Sequence, residues 1–182
     1  AAKQADCKAD TSLVESTVAE LQSLPGRSGK YRIVELKREL QNTMWEKAGP
    51  VRTEEQLKQA LDTFDSIEGR LPAAAISDQE KYNTELLDAM ELRLMLPVAK
   101  SIAASALART ESRGSHIRMD YQERNDQESV KNIFVKVKNN QVEVCSRAVD
   151  LCFISPQQEA LRLQARPDKN HDTPANLAIP PA

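Results

Sequence analysis

The sequence predicts a mainly α-helical fold: a three- to four-helix bundle with a long central helix, followed by a small β-hairpin. Three observations carry this. Aromatic residues are only 4% of the 182, while Leu, Ala, Glu, Lys and Gln abound, a composition that favours helix over β-sandwich. Apolar residues recur at spacings of three and four through the first hundred or so positions, the period of a helix. Past Gly114 the period becomes two, that of a strand. With 40% apolar residues, a chain of this length can bury a core without cross-links.

Residues 1–9 read as an N-terminal extension, too polar for a secretory leader. Asp10 or Thr11 can cap a first helix whose apolar stripe is Leu13, Val14, Val18, Leu21 and Leu24. "PGRSG" at 25–29 ends it. A second helix is predicted from about 30 to 47, with Ile33, Leu36, Leu40 and Met44 on one face, stopped by "AGP" at 48–50. "TEEQ", Thr53 to Gln56, is a capping box, in which the threonine hydroxyl and the glutamine side chain each satisfy an orphan backbone N–H. It opens a third helix carrying Leu57, Leu61, Phe64, Ile67 and Leu71.

The fourth helix should be the longest, residues 80–111, and about 48 Å long at 1.5 Å per residue. Its centre is apolar on more than one face, which predicts a central helix touched by the other three. Leu86, Met90, Leu94 and Ile102 are its expected core positions. Pro97 lies inside it and predicts a kink or a lost hydrogen bond. The bundle therefore spans 10–112, and 113–154 form a polar loop and the hairpin. "IFVKVKNNQVEV" alternates around Asn139-Asn140, as a hairpin with a tight turn does, and the apolar run at 148–154 would extend or cover it. Residues 155–182 hold five of the nine prolines and little to bury, and read as an extended or disordered tail.

Several classes of function find no support. A net charge of −2 gives no electrostatic footprint for nucleic acid. Cys7, Cys145 and Cys152 make an odd set without C-x-x-C, so neither a disulfide framework nor a zinc site follows, and a reducing compartment is the simplest reading. No run of 18 apolar residues is present to span a membrane. The five glycines build neither G-x-G-x-x-G nor a P-loop, and His116 and His171 belong to no H-E-x-x-H. This pattern points to a binding or structural module. Cys145 and Cys152 are expected as small buried residues on strands, and Trp45 and Met44 as core or edge packing. Lys131, Lys136 and Lys138 fit a solvated strand face.

One stretch stands out. Residues 108–126, "ARTESRGSHIRMDYQERND", hold four arginines, four carboxylates and a histidine. Arg113, His116 and Arg118 can clamp a dicarboxylate, with His116 moving a proton near neutral pH. The same residues can instead form a polar seam between two pieces of protein, cross-paired by Glu111, Asp120, Glu123 and Asp126. The seam is preferred, because charge-rich loops after helices are usually solvated or salt-bridged.

Two long motifs carry a resemblance. "ELKRELQNTMWEKAGPVRTEEQLKQAL", residues 35–61, resembles the C-terminal helical domain of succinate dehydrogenase and fumarate reductase flavoprotein subunits. "LARTESRGSHIRMDYQERND" is similar to that family's E-S-R-G-A-H-x-R-x-D-Y-P-E-R-x-D, and "VKNIFVKVKNNQVEV" to its terminal hairpin. The resemblance covers residues 13–154. L-aspartate oxidase shares the domain, but Arg118 and "ERND" lean toward the dehydrogenase and reductase branch. Gln122 stands where the family has proline and Ser129 where an aromatic is common, departures that loosen the loop.

The resemblance implies that FAD, the catalytic arginine and the substrate-binding histidine belong to regions upstream of this domain, so no catalytic, cofactor-binding or metal-binding residue is carried over to this chain. It implies a flavin-bearing domain or subunit as partner, with an iron–sulfur subunit as a further one. Arg113, His116, Arg118, Asp120 and Arg124 would dock on that partner. The implied function is to complete the flavoprotein and support succinate–fumarate redox chemistry without supplying catalytic groups. The implied location is the cytoplasm or mitochondrial matrix, peripheral to a membrane complex. The alternative is an independent helical interaction module that reuses the domain.

Overall fold

The computed structural model describes residues 11–138 and 141–149. The chain divides into one compact unit over residues 1–147 and a second over 148–182. Among the described residues there are four helices: α1 (Thr11–Gln22), α2 (Ile33–Lys47), α3 (Glu54–Arg70) and α4 (Thr84–Ala108). Two short parallel pairs and one hairpin supply the strands. β1 (Tyr31–Arg32) pairs with β3 (Ala74–Ala75), β2 (Val51–Arg52) with β4 (Ile117–Arg118), and β5 (Lys131–Lys138) with β6 (Gln141–Ala148). This is the mainly α fold with a hairpin appendage that periodicity predicts.

Local chemistry sets the helix starts. Gln56 N donates to the Thr53 hydroxyl at 3.2 Å and Thr53 N donates to Gln56 Oε1 at 2.9 Å, so the expected capping box opens α3. Asn83 opens α4 by accepting from Leu86 N at 2.9 Å, which trims the helix from the expected start at 80. Between α1 and α2 the chain runs against the α3–α4 connection. A Cβ on Gly29 would lie 2.4 Å from the Ala73 carbonyl oxygen, so only glycine permits the β1–β3 approach.

The core lies where α2, α3 and α4 meet. Ile33, Leu36 and Leu40 of α2 and Leu57, Ala60, Phe64 and Ile67 of α3 are buried against it. From α4 come Ala89, Leu92, Leu96, Ala99, Ala103 and Ala106. Their alternating spacing of three and four marks one narrow stripe, and the alanines let α3 come close. Lys100 joins this face with its ammonium 2.5 Å from both Asp65 and Glu68 of α3. Pro97 sits inside the unbroken helix, where it removes one backbone donor.

The expected α4 stripe is therefore wrong in part. Leu94 is 70% exposed and Ile102 is also exposed, while Leu86 and Met90 are half-buried. Leucine outranks alanine on any hydrophobicity scale, yet the helix turns its alanine-rich side inward. Its larger residues Leu87, Leu94 and Val98 form an outward apolar face. Three other expectations fail in the same direction. Trp45 is 85% exposed, Val14 and Val18 of α1 lie open, and Cys145 is exposed on β6. β5 packs on α4 through the Ile133 and Val135 side of the strand, whereas β6 is almost entirely exposed. The extension at 1–9, the Asp10 cap, the Asn139-Asn140 turn, Cys7, Cys152 and the tail at 155–182 lie outside the described residues, as does most of the run at 148–154.

Leu92→Ala should destabilise the chain by about 2–5 kcal/mol in denaturant unfolding. Leu94→Ala, two residues away, should stay within about 0.5 kcal/mol of the parent. Equal losses would mean that both leucines are buried.

Candidate functional site

The charged stretch begins where α4 ends. Arg109, the residue after the helix, is extended, and the chain then doubles back. Gly114, at φ +60°, makes the tight turn that lets Arg113 and His116 exchange both backbone hydrogen bonds, at 2.9 and 3.0 Å. β4 follows and lies parallel to β2, with Ile117 N donating to the Pro50 carbonyl and Met119 N to the Arg52 carbonyl, each at 3.0 Å. The loop is thereby stitched to the α2–α3 connection. Ser112 fastens it from the other side: its hydroxyl accepts from Arg118 N at 2.9 Å and donates to the Tyr121 carbonyl at 2.8 Å.

Arg118 sits at the centre, fully buried. Its Nη1 donates to the carbonyls of Ala106, Leu107 and Arg109, at 3.1, 3.2 and 3.1 Å, and so caps the orphan acceptors at the C-terminus of α4. Its Nε and Nη2 form a fork on Asp120, at 2.8 and 2.7 Å. Asp120 in turn accepts from Glu54 N, the first residue of α3, at 2.8 Å. One ion pair thus joins the negative end of one helix dipole to the positive end of another. The hydrogen bond from Arg118 holds the Asp120 carboxyl far below the usual carboxylate range, and the same bond raises the Arg118 pKa. The Arg118 guanidinium also lies over the Tyr121 ring, 4.9 Å from its centre.

Glu111 is the second buried centre. It accepts from Arg109 Nη1 at 2.5 Å, from Arg113 Nε and Nη2 at 2.9 and 3.0 Å, and from Asn125 N at 2.9 Å. Burial pushes its pKa up, but hydrogen bonds from Arg113, Asn125 N and Arg109 outweigh that and lower it from 4.5 to about 2. Arg113 also donates to Asp126 at 2.7 Å, and Arg124 reaches the same carboxylate on the surface. His116 Nε2 lies 3.2 Å from the Arg109 carbonyl. Burial, against that hydrogen bond and together with the charges of Arg52, Arg118 and Arg109, holds the imidazole below its ordinary value, so it is neutral at pH 7.

All five residues singled out in the sequence, Arg113, His116, Arg118, Asp120 and Arg124, therefore lie in one hydrogen-bonded loop. They divide into two kinds. Arg118 is interior and committed to α4 and Asp120, while Arg113, His116 and Arg124 keep edges toward the outside. Glu111 was named in the sequence only as a counter-charge, yet it organises three partners. Its signal is local: an arginine stands two residues to either side. Arg52 was missed altogether, because β2 is brought to the loop only by tertiary pairing. Among the described residues no group of three His, Cys, Asp or Glu side chains is placed to hold a metal ion. Glu111 and Asp120 are locked in their ionised forms, so neither is poised to give up a proton near neutral pH.

Because folding lowers the Glu111 pKa, the unfolded chain takes up that proton first as pH falls. The stabilisation is complete above the ordinary 4.5 and is lost as the pH drops toward about 2. Replacing Glu111 with Gln should remove roughly 3 kcal/mol of that acid-dependent loss, read from urea unfolding at stepped pH. A variant that keeps the parent's pH slope would show that Glu111 titrates alike in both states.

The chain has counterparts among known proteins. Residues 37–162, more than half of the chain, match the family described as fumarate reductase flavoprotein C-term. The fumarate reductase flavoprotein subunit of Haemophilus influenzae is 36% identical over 113 residues, which is 62% of this chain and 19% of that protein. The succinate dehydrogenase flavoprotein subunit of Coxiella burnetii is 38% identical over 92 residues, 50% of this chain and 16% of that one. A solved quinol fumarate reductase from E. coli superposes with a TM-score of 0.73 at 27% identity, covering 84% of this chain and 27% of the other. This chain spans less than a fifth of the length of the two sequence relatives. It belongs to the family of C-terminal domains of fumarate reductase and succinate dehydrogenase flavoprotein subunits.

Proposed function

We propose that this chain acts by packing on the flavin-bearing part of a succinate dehydrogenase- or fumarate reductase-type flavoprotein, and that it supports succinate–fumarate redox chemistry without supplying catalytic groups. The observation that carries this reading is the outward apolar face of α4. Leu87, Leu94 and Val98 lie open, and Leu94 and Val98 line an apolar groove with Met44 and Met95. Contiguous exposed apolar surface on a soluble helix marks a place where more protein sits. Arg113, His116 and Arg124 add a polar rim, while Arg118 and Asp120 act from within by holding the loop in shape.

FAD belongs to the flavin-bearing part in this reading. None of the glycines at 26, 29, 49, 69 and 114 opens a helix after a strand, as a dinucleotide cradle requires. This supports placing the cofactor on the flavin-bearing part. An iron–sulfur subunit is a further partner that the reading admits. Its place is the cytoplasm or mitochondrial matrix, at the margin of a membrane complex. Among the described residues no helix is long and apolar enough to cross a membrane.

Val98→Asp places a charge in the middle of the open face. The isolated chain should unfold within about 0.5 kcal/mol of the parent. Association with a family flavoprotein that lacks its own C-terminal helical domain should weaken by about 2 kcal/mol or more in titration calorimetry. Undiminished affinity would place the partner on another face.

A further inference from the structure

Arg52 stands apart from the other arginines around the seam. Arg109, Arg113, Arg118 and Arg124 each reach a carboxylate. Arg52 lies half-buried beside Arg118 in the β2–β4 register and makes no ion pair among the described residues. Its one side-chain hydrogen bond runs from Nη1 to the Ala48 carbonyl at 3.2 Å, and its Nε is buried with no acceptor. An unmatched guanidinium held out of water is costly, and buried ones normally collect carboxylates or several carbonyls. Here burial, and after it the Arg118 charge, push the Arg52 pKa down, the mark of a cation with nothing to offset it.

Arg52 borders a cleft of about 420 Å³ whose walls include Arg109, Arg113, His116, Ser105, Ile102 and Ile133. Three arginines and an imidazole share one opening, and no described carboxylate lines it. The charge that offsets Arg109 and Arg113 comes from Glu111, which is fully buried, and for Arg113 also from Asp126, and neither carboxylate is part of the cleft wall. The cleft also borders the apolar face of α4: Ile102 lines both this cleft and the groove formed with α2.

We propose that this cleft receives a carboxylate side chain presented by the flavin-bearing polypeptide, with Arg52 as its principal donor. The proposal rests on the docking reading above. A guanidinium takes a carboxylate through paired N–H groups, and the pair gains strength as the incoming surface excludes water. His116 lies on the same wall, so an arriving negative charge makes its imidazole easier to protonate. A free small carboxylate offers the same chemistry, and the experiment separates the two sources.

The 182-residue chain, its Arg52→Met variant and the Val98→Asp variant are each titrated with a family flavoprotein lacking its C-terminal helical domain. Arg52→Met should weaken association by about ten- to a hundredfold and reduce its salt dependence. In the isolated chain the same change should leave the unfolding midpoint unchanged or raise it, since an unpaired cation is removed. Nuclear magnetic resonance should show the His116 pKa higher in the complex than in the free chain. If Arg52→Met binds as tightly as the parent while Val98→Asp is weakened, docking stands and the carboxylate receptor falls. If the parent chain does not associate at all, both readings fall. In a second arm the free chain is titrated with acetate and with succinate against chloride at matched ionic strength. The Arg52 and His116 signals should move no more than with chloride. A saturable succinate response that Arg52→Met abolishes would assign the cleft to a free carboxylate and overturn the polypeptide source.

Discussion

Two helix ends meet at the Arg118–Asp120 ion pair, and the rest of the domain is arranged around that meeting. Burying a guanidinium is unfavourable unless its donors are used, and every edge of Arg118 is used: three carbonyls at the end of α4 and two carboxylate oxygens. Asp120 passes the connection on to the first backbone N–H of α3. Lysine has no planar fork, so it can serve one side of this arrangement but not both. Removing Asp120 would strand the buried Arg118 charge, a loss of about 3–5 kcal/mol. The pair fixes α3 and α4 end to end, and the long contact between their flanks follows from that constraint.

Along that contact α4 has two different apolar faces. The inner one is mostly alanine, which brings α3 close and leaves room for the Lys100 bridge to Asp65 and Glu68. The outer one carries Leu87, Leu94 and Val98, and they remain open. A helix that is apolar on both sides is normally covered on both. In the proposed docking, that cover is the flavin-bearing part.

What was legible in the sequence follows the range of the interactions involved. The Thr53–Gln56 capping box acts within four residues and reads directly from the letters. The stripe of Leu57, Phe64 and Ile67 was equally plain, because only one face of α3 is apolar. On α4 the same method misplaced Leu94, because a helix apolar all round gives periodicity no contrast to work with. In the charged loop the residue types were visible, but their partners depend on contacts between distant positions. The bond from Glu54 N to Asp120 spans 66 residues, and the β2–β4 pairing that sets Arg52 beside Arg118 spans the same distance. Trp45 shows the converse error: a large aromatic reads as core, yet among the described residues nothing covers it.

The seam is therefore built before anything touches it. Glu111 and Asp120 hold their arginines through short, charge-assisted bonds, and Gly114 and Ser112 fix the backbone between them. A loop already ordered in this way loses little conformational freedom on docking, so most of the contact energy remains available for affinity. Internal pairing also means that a partner need not bring one counter-charge for each of the loop's arginines. That economy isolates the exception: in a seam otherwise neutralised from within, Arg52 is a half-buried guanidinium with no acid among the described residues, and there charge complementarity from outside can act.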